Sequence, residues 1–303
     1  MTNILVVTSS IDYTVDYLIQ NYSQNVRFFR FNVDMFGKYK IDITSSNWLI
    51  DTGVWSVCSD DVFSIYYRKP MLPDLSEYEI EYRSLIQKDI ISVVTGLVDS
   101  FEGIVLTKPA ILRMCENKTY QLQTVKKSRF NIPESLITNN LEYANKFINK
   151  SNTIIKPITT GKIITNDCFE IYQTNKIELL EDDIDVTPVY LQNYIEKLYE
   201  VRLTVVNDVF YGVKIESSNK LDWRDEQAKN IYTILETPDH IKQKCLNLLD
   251  LLGLKFGAFD FIVTPDEEWI YLEVNPNGQW LWLEQALNLN ISYEIIKYLG
   301  GEK

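Results

Sequence analysis

Three residues toward the end of this 303-residue chain could hold a metal ion together: Asp260, Glu273 and Asn275. They fall in two stretches, 258–263 and Trp269–Asn275, that alternate in the manner of strands, with the turn Pro265-Asp266-Glu267-Glu268 between them. A period of two puts Glu273 and Asn275 on one face, and Asp260 sits one hairpin away. Two carboxylates and an amide carbonyl form an all-oxygen set that suits Mg2+, an ion that keeps several waters and shares substrate phosphates. On spacing alone the same pattern fits a half-buried hairpin with a wet polar face, and both readings stand at this point.

The remaining charged candidates are single residues. Lys156 sits in an apolar strand, Thr153-Ile154-Ile155-Lys156-Pro157, and Lys118 stands near the start of a helical pattern over 110–130. Glu200 and Arg202 precede the two-residue hairpin signal Asn207-Asp208, Lys214 follows it, and Arg224 lies in a polar stretch over 216–230. Each also fits a plainer description. A strand lysine snorkels at an edge, Glu200 with Arg202 makes a surface ion pair, and the run Lys126, Lys127, Arg129 makes a solvated helix face. The single histidine, His240, falls in the first turn of an expected helix, which argues against His-based chemistry.

The elements that must position these residues follow from patterning. Hydrophobic residues make up 46% and charged residues 24%, as in an ordinary globular protein. No apolar run reaches membrane-span length and the first residues do not read as a signal peptide, so a cytoplasmic protein is expected. The four cysteines are scattered without a Cys-x-x-Cys pair, so neither zinc nor disulfides are implied. A net charge of -12 disfavours nucleic acid and anionic membranes. Buried strands are expected at 3–8 and 26–31, with Asp12 capping a short helix between them. Short strands follow at 40–43, 48–50, 54–57 and 63–68. A capping box at Ser76 and Glu79 opens a long helix toward Phe101, and 105–106 returns as a strand. This α/β unit has no Gly-rich turn after its first strand, so no dinucleotide site is expected there. A helix at 142–148, the strand at 153–157, a loop with Gly161 and a segment at 169–174 pairing back make a second unit, closed by an acidic loop at 181–185. The last unit holds a strand at 189–195, the 201–215 hairpin, a long loop at 216–230 and a helix capped by Thr237 with Pro238 first and Gly253 past its end. The metal hairpin and a C-terminal helix follow.

Taken in order, Asn117-Lys118, Ile155-Lys156-Pro157, Gln192-Asn193-Tyr194-Ile195-Glu196, Glu200-Val201-Arg202, Lys214, Asp260 and Glu273-Val274-Asn275-Pro276-Asn277-Gly278 resemble the ATP-grasp ligases over about residues 108–303. Within that superfamily the chain is most similar to the microviridin-type (graspetide) peptide ligases. Asn-Pro-Asn-Gly-Gln-Trp-Leu-Trp at 275–282, Leu-Asp-Trp-Arg at 221–224 and Tyr-Arg-Lys-Pro at 67–70 carry that likeness. The resemblance implies an α/β (α+β) fold in which two αβ units, 108–187 and 188–303, clasp ATP, preceded by a pre-ATP-grasp domain over 1–107. It implies an enzyme that activates Asp or Glu side chains of a ribosomal precursor peptide with ATP and Mg2+ and joins them to Thr, Ser or Lys side chains, giving macrolactones or macrolactams.

The resemblance also implies roles. Lys118 and Lys156 neutralise phosphates under a loop carrying Gly161. The hinge at 192–195, with Gln192, Tyr194 and Ile195, receives adenine, and Glu200 receives the ribose. Asp260, Glu273 and Asn275 hold Mg2+, and Lys214 faces the γ-phosphate. Arg202 and Arg224 bind the substrate carboxylate and the developing oxyanion. Departures from related ligases are Asn193 where a Glu is common, Ala258 where D-alanine–D-alanine ligases place an arginine, and one glycine in the phosphate loop. An acidic, Thr-rich core peptide would need a local cationic groove in so acidic a protein. Its leader is expected on a separate surface near 169–174, and a homodimer is also implied. Two other readings stay open: a ligase that adds a free amino acid to a carboxylate acceptor, and a nucleotide-binding regulatory module without turnover.

Overall fold

A computed structural model describes all residues of the chain except 160, 161, 165–168, 172, 173, 182, 183, 220, 222, 225, 226 and 301–303; for 162–164 and 169–171 the backbone alone is described. The first unit runs β1 (Thr2–Thr8), α1 (Tyr13–Tyr22), β2 (Val26–Asn32), β3 (Lys40–Ile43), β4 (Trp48–Asp51), β5 (Ser56–Cys58), β6 (Ser64–Tyr67), α2 (Ile80–Ser100) and β7 (Ile104–Leu106). β2-β1-β6-β7 form a parallel sheet, and β3-β4-β5 an antiparallel flap. The parallel sheet is covered on both faces, which is why β1 reads as a nearly continuous apolar run. Asp12 caps α1 as expected, its carboxylate accepting from the Thr14 and Val15 N–H groups.

Three helix starts differ from expectation. Asp74 takes both the N–H and the hydroxyl of Ser76, so no Ser76–Glu79 box forms and α2 begins at Ile80. The 110–130 pattern is two helices, α3 (Pro109–Cys115) and α4 (Lys118–Val125). Asn117 caps α4 by accepting the Tyr120 N–H. Pro238, and not Thr237, occupies the cap position of α6 (Asp239–Leu252).

A second sheet, β12-β9-β13-β8, is antiparallel. It contains β8 (Ser135–Thr138), β9 (Thr153–Lys156), β12 (Asn175–Ile177) and β13 (Val189–Asn193), with α5 (Leu141–Ile148) against one face. The hairpin of β10 (Lys162–Ile164) and β11 (Phe169–Ile171) stands apart from it.

The third sheet, β16-β15-β14-β17-β18, is antiparallel throughout. Its strands are β14 (Tyr199–Val206), β15 (Val209–Ser217), β16 (Asn230–Ile234), β17 (Phe256–Val263) and β18 (Trp269–Asn275). β16 begins at the last residue of the expected 216–230 loop and runs through a stretch for which no strand was expected, because its residues are partly or fully exposed and give no apolar alternation. Asn207, at φ 54°, turns the β14–β15 hairpin. One face of this sheet packs Val201, Leu203, Phe259 and Phe261 on the apolar side of α6. The other carries the polar residues described below. Two C-terminal helices, α7 (Leu281–Leu287) and α8 (Ile291–Leu299), close the fold. Their Leu283 and Ile295, with Trp280, share one core with Ile4, Val6 and Leu18 of the first unit. Trp280 is therefore core. Among the described residues no helix is long and apolar enough to cross a membrane.

Candidate active site

β17 is the centre of the site because it is buried along its whole length yet carries one acid. Strand pairing sets Asp260 opposite Arg202 on β14 and opposite Glu273 on β18, so all three side chains share a face. Arg202 Nη1 lies 2.8 Å from Asp260 Oδ1, with both side chains under a tenth exposed. Arg224 Nη2 donates to Asp260 Oδ2 at 2.8 Å and lies 3.6 Å from Glu273 Oε1. Lys118 Nζ approaches Glu273 Oε2 at 3.4 Å. Asn275 Nδ2 completes the group, 3.2 Å from Asp260 Oδ2 and 3.4 Å from Glu273 Oε1.

The two acids titrate differently. Burial pushes the Glu273 carboxyl up, but Lys118, Arg224 and Lys156 outweigh it and hold the group down at about 2. Burial dominates at Asp260 and, with repulsion from Glu273, raises its carboxyl despite Arg202 and Arg224. Such a pair, one firmly ionised and one reluctant, suits a site that gains a cation with its ligand.

Arg224 is held by aromatic packing. Its guanidinium sits 5.5 Å over the Trp223 ring, Trp223 lies 5.4 Å from Trp282, and Tyr232 meets Trp282 edge-on. This gives the Leu-Asp-Trp-Arg segment a physical task, although Asp222 lies outside the described residues. The turn after β18 is equally constrained. A Cβ on Gly278 would stand 2.5 Å from the Ala258 Cβ, so the 275–278 turn lies directly on β17 and a larger residue at 258 would collide with it. Arg68, fully buried, donates to Gln279 at 2.7 Å and to Thr14, and faces Asp12 at 3.3 Å. It ties the first unit to this turn.

Beyond Asp260 the cleft continues into a cavity lined by Lys156, Gln192, Tyr194, Ile195, Lys197 and Glu200. Lys156 Nζ donates to Gln192 Oε1 at 2.7 Å. The Tyr194 N–H is already given to Asn152 O at 2.8 Å, so the Tyr194 backbone offers the cavity its carbonyl rather than its N–H. On the other side a wider opening is lined by Lys69, Arg113, Lys118, Arg202 and Arg224 together with Glu116 and residues 273–279. Its five cations outnumber the carboxylates of Glu116 and Glu273, a local positive groove within a chain of net charge -12.

Lys214 is the expected site residue that the structure does not bring in. It pairs with Val201, which puts it on the α6 face of the sheet, opposite Arg202. There it meets Glu216 at 3.0 Å and covers the Tyr199 ring. Gly161 and part of the 169–174 segment lie outside the described residues, and Lys126, Lys127 and Arg129 line neither cavity.

Sequence reading missed two residues. Lys197 is a buried cation that meets Glu200 Oε1 at 3.0 Å and donates to Leu221 O at 3.3 Å, joining Glu200 to the Arg224 segment. Gln121 contacts the backbone between Glu273 and Asn275. Lys197 has a weak sequence signal, a cation three residues before Glu200. Gln121 has none.

Among the described residues no three His, Cys, Asp or Glu side chains form a metal cage. The Asp260, Glu273 and Asn275 set nonetheless fits Mg2+. A half-turn of the Asn275 amide exchanges the atom facing the carboxylates for an oxygen, and the ion keeps waters in its other positions.

Residues 115–299 match the RimK-like ATP-grasp domain. The chain is similar over its whole length to solved structures. One is a RiPP-associated ATP-grasp ligase of Chryseobacterium gregarium in complex with ADP and a leader and core peptide, at 25% identity and TM-score 0.89, covering 100% of this chain and 98% of that one. Another is the macrocyclase MdnC of Microcystis aeruginosa MRC bound with precursor peptide MdnA, at 25% identity and TM-score 0.86, covering 99% of each. Among curated proteins, the α-aminoadipate–LysW ligase LysX of Sulfurisphaera tokodaii is 24% identical over 217 residues, 68% of this chain and 75% of that protein.

Proposed function

The chain belongs to the family of RimK-like ATP-grasp domains, and on that premise we propose an ATP-dependent peptide macrocyclase. It activates Asp or Glu side chains of a ribosomally made precursor as acyl phosphates and joins them to Thr or Ser hydroxyls or to Lys amines. The observation that carries this reading is the extent of the likeness. It spans the first unit as well as the ATP-grasp part, in two ligases that were solved with peptides. The cationic groove opening beside Glu273 supports an acidic peptide as substrate. The units are 1–107, 108–187 and 188–303, and the leader docks away from the cleft. A homodimer belongs to the same proposal.

The proposed chemistry follows from charge placement. A carboxylate is a poor electrophile, and phosphorylation by ATP turns it into one, with ADP as leaving group. Phosphoryl transfer asks for alignment and neutralised charge more than covalent help. Lys118 and Lys156 bind phosphate oxygens, Ile195 and the Tyr194 carbonyl meet adenine, and Glu200, steadied by Lys197, takes the ribose hydroxyls. Mg2+, when bound by Asp260, Glu273 and Asn275, supplies charge neutralisation between phosphate groups. Arg202 and Arg224 hold the substrate carboxylate and then the oxyanion formed when the hydroxyl or amine attacks the acyl carbon. Phosphate leaves and the nucleophile's proton passes to solvent.

The experiment is incubation of the chain with ATP, Mg2+ and an acidic, Thr-rich precursor peptide encoded beside it, followed by mass spectrometry. Each ring removes the mass of one water and releases one phosphate. The LysX likeness favours a second reading, addition of a free amino acid, and a gain in peptide mass would select it.

A further inference from the structure

We propose that Gln121 is a positioning residue that sets the spacing between the phosphate cation Lys118 and the metal-side residues Glu273 and Asn275. This rests on the ATP-grasp reading of the site. β18 is the edge strand of its sheet; on its outward side Asn131 bridges the first half, accepting the Tyr271 N–H at 2.8 Å, and among the described residues no strand pairs with it at Val274. At Val274, midway between Glu273 and Asn275, the Gln121 side chain takes the neighbour's place. Its Oε1 accepts the Val274 N–H at 3.1 Å and its Nε2 donates to the Val274 carbonyl at 2.8 Å. The amide therefore grips the backbone as a paired strand would. Its other capacity is also used: Nε2 donates to Cys115 O at 2.6 Å, and Oε1 accepts the Tyr271 hydroxyl at 3.1 Å. A buried glutamine with both donors and both acceptor sites engaged has one available pose.

The placement on α4 gives the clamp its function. Lys118 and Gln121 are three residues apart and lie on one side of the helix. Lys118 reaches Glu273 at 3.4 Å while Gln121 holds the next residue's backbone. One helical turn thus carries both the cation and the ruler that sets its distance. The Gln121 bond to Cys115 O also joins α4 to the end of α3, so the clamp spans both helices and the strand.

The test uses the full chain with two variants, Gln121→Met, which keeps the volume without the bonds, and Gln121→Glu, which keeps the acceptors and replaces a donor. Mn2+ binding in the presence of ADP is read by electron paramagnetic resonance, ADP binding without metal by calorimetry, and folding by cooperative melting. Groups that orient metal ligands from behind are worth about 10–100-fold in metal affinity. The expected result is a loss of at least about tenfold in Mn2+ affinity in a variant that still melts cooperatively, with metal-free ADP affinity held within about threefold. Unchanged Mn2+ affinity in either folded variant overturns the proposal. Equal losses of Mn2+ and metal-free ADP affinity overturn it too, because they mean general damage to α4. If the parent chain itself binds no Mn2+ with ADP, the nucleotide–metal reading of the site fails instead, and the clamp falls with it.

Discussion

Replacing Glu273 by Gln removes the charge on which three cations converge, and the loss can be worked from the site. The folded carboxyl is held down at about 2 from an ordinary 4.5, because Lys118, Arg224 and Lys156 more than offset the penalty of burial. Each unit of such a difference is worth about 1.4 kcal/mol, so the ionised form adds about 3 kcal/mol to stability. With the side chain 25% exposed, solvent and salt trim this toward about 2 kcal/mol. The group's pKa is depressed on folding, so its contribution is fully present above the unfolded value near 4.5 and is lost as pH falls through the folded value near 2. Urea unfolding of parent and Glu273→Gln, without metal, therefore separates them by about 2–3 kcal/mol at pH 7 and by about 1 kcal/mol at pH 3. A variant as stable as the parent at pH 7, or more stable, refutes the reasoning. It would mean that repulsion between Glu273 and Asp260 governs the metal-free site and that the surrounding cations do not.

Three further outcomes follow from particular contacts. Gly278→Ala forces the 275–278 turn off β17, because the new Cβ would stand 2.5 Å from Ala258. A cost of about 1–3 kcal/mol in stability and weaker Mn2+ binding are expected, measured by melting and titration. Lys214→Met leaves peptide turnover within about twofold, since the side chain sits on the opposite face from Arg202 and its loss moves no site charge. A hundredfold loss would return Lys214 to the site. Thiol alkylation at pH 8, mapped by mass spectrometry, should modify Cys58 and spare Cys115 and Cys245 in the folded chain. The last two are buried; burial, with Glu116 beside it, pushes the Cys115 thiol up to about 11, and burial alone raises Cys245.

Much of the site was legible because strand periodicity speaks directly to side-chain direction. Glu273 and Asn275 share a face, Asp260 sits opposite Glu273, and Arg202 is drawn in beside Asp260. The same rule could have excluded Lys214. The two-residue turn at Asn207-Asp208 fixes the β14–β15 register, and that register pairs Lys214 with Val201, a core residue. Asp74 outcompeting Glu79 for Ser76 is a local choice that either sequence pattern allows, and it moved the start of α2. Lys197 left a weak local trace, its i,i+3 spacing from Glu200. Gln121 was hidden for a deeper reason: its role depends on backbone atoms of Val274, far away in the chain, and no local pattern marks a side chain whose partner is a distant peptide group.

Oxygen transfer is the measurement closest to the central claim, that this site activates a peptide carboxylate with ATP. A precursor peptide whose Asp and Glu side chains carry heavy oxygen is incubated with the chain, ATP and Mg2+, and the released phosphate is analysed. The account predicts one heavy oxygen in the phosphate for each ring closed, with ADP as the nucleotide product, because the carboxylate oxygen that attacks the γ-phosphorus departs with it. Ring closure with all heavy oxygen retained in peptide and water, or with AMP as product, would contradict it.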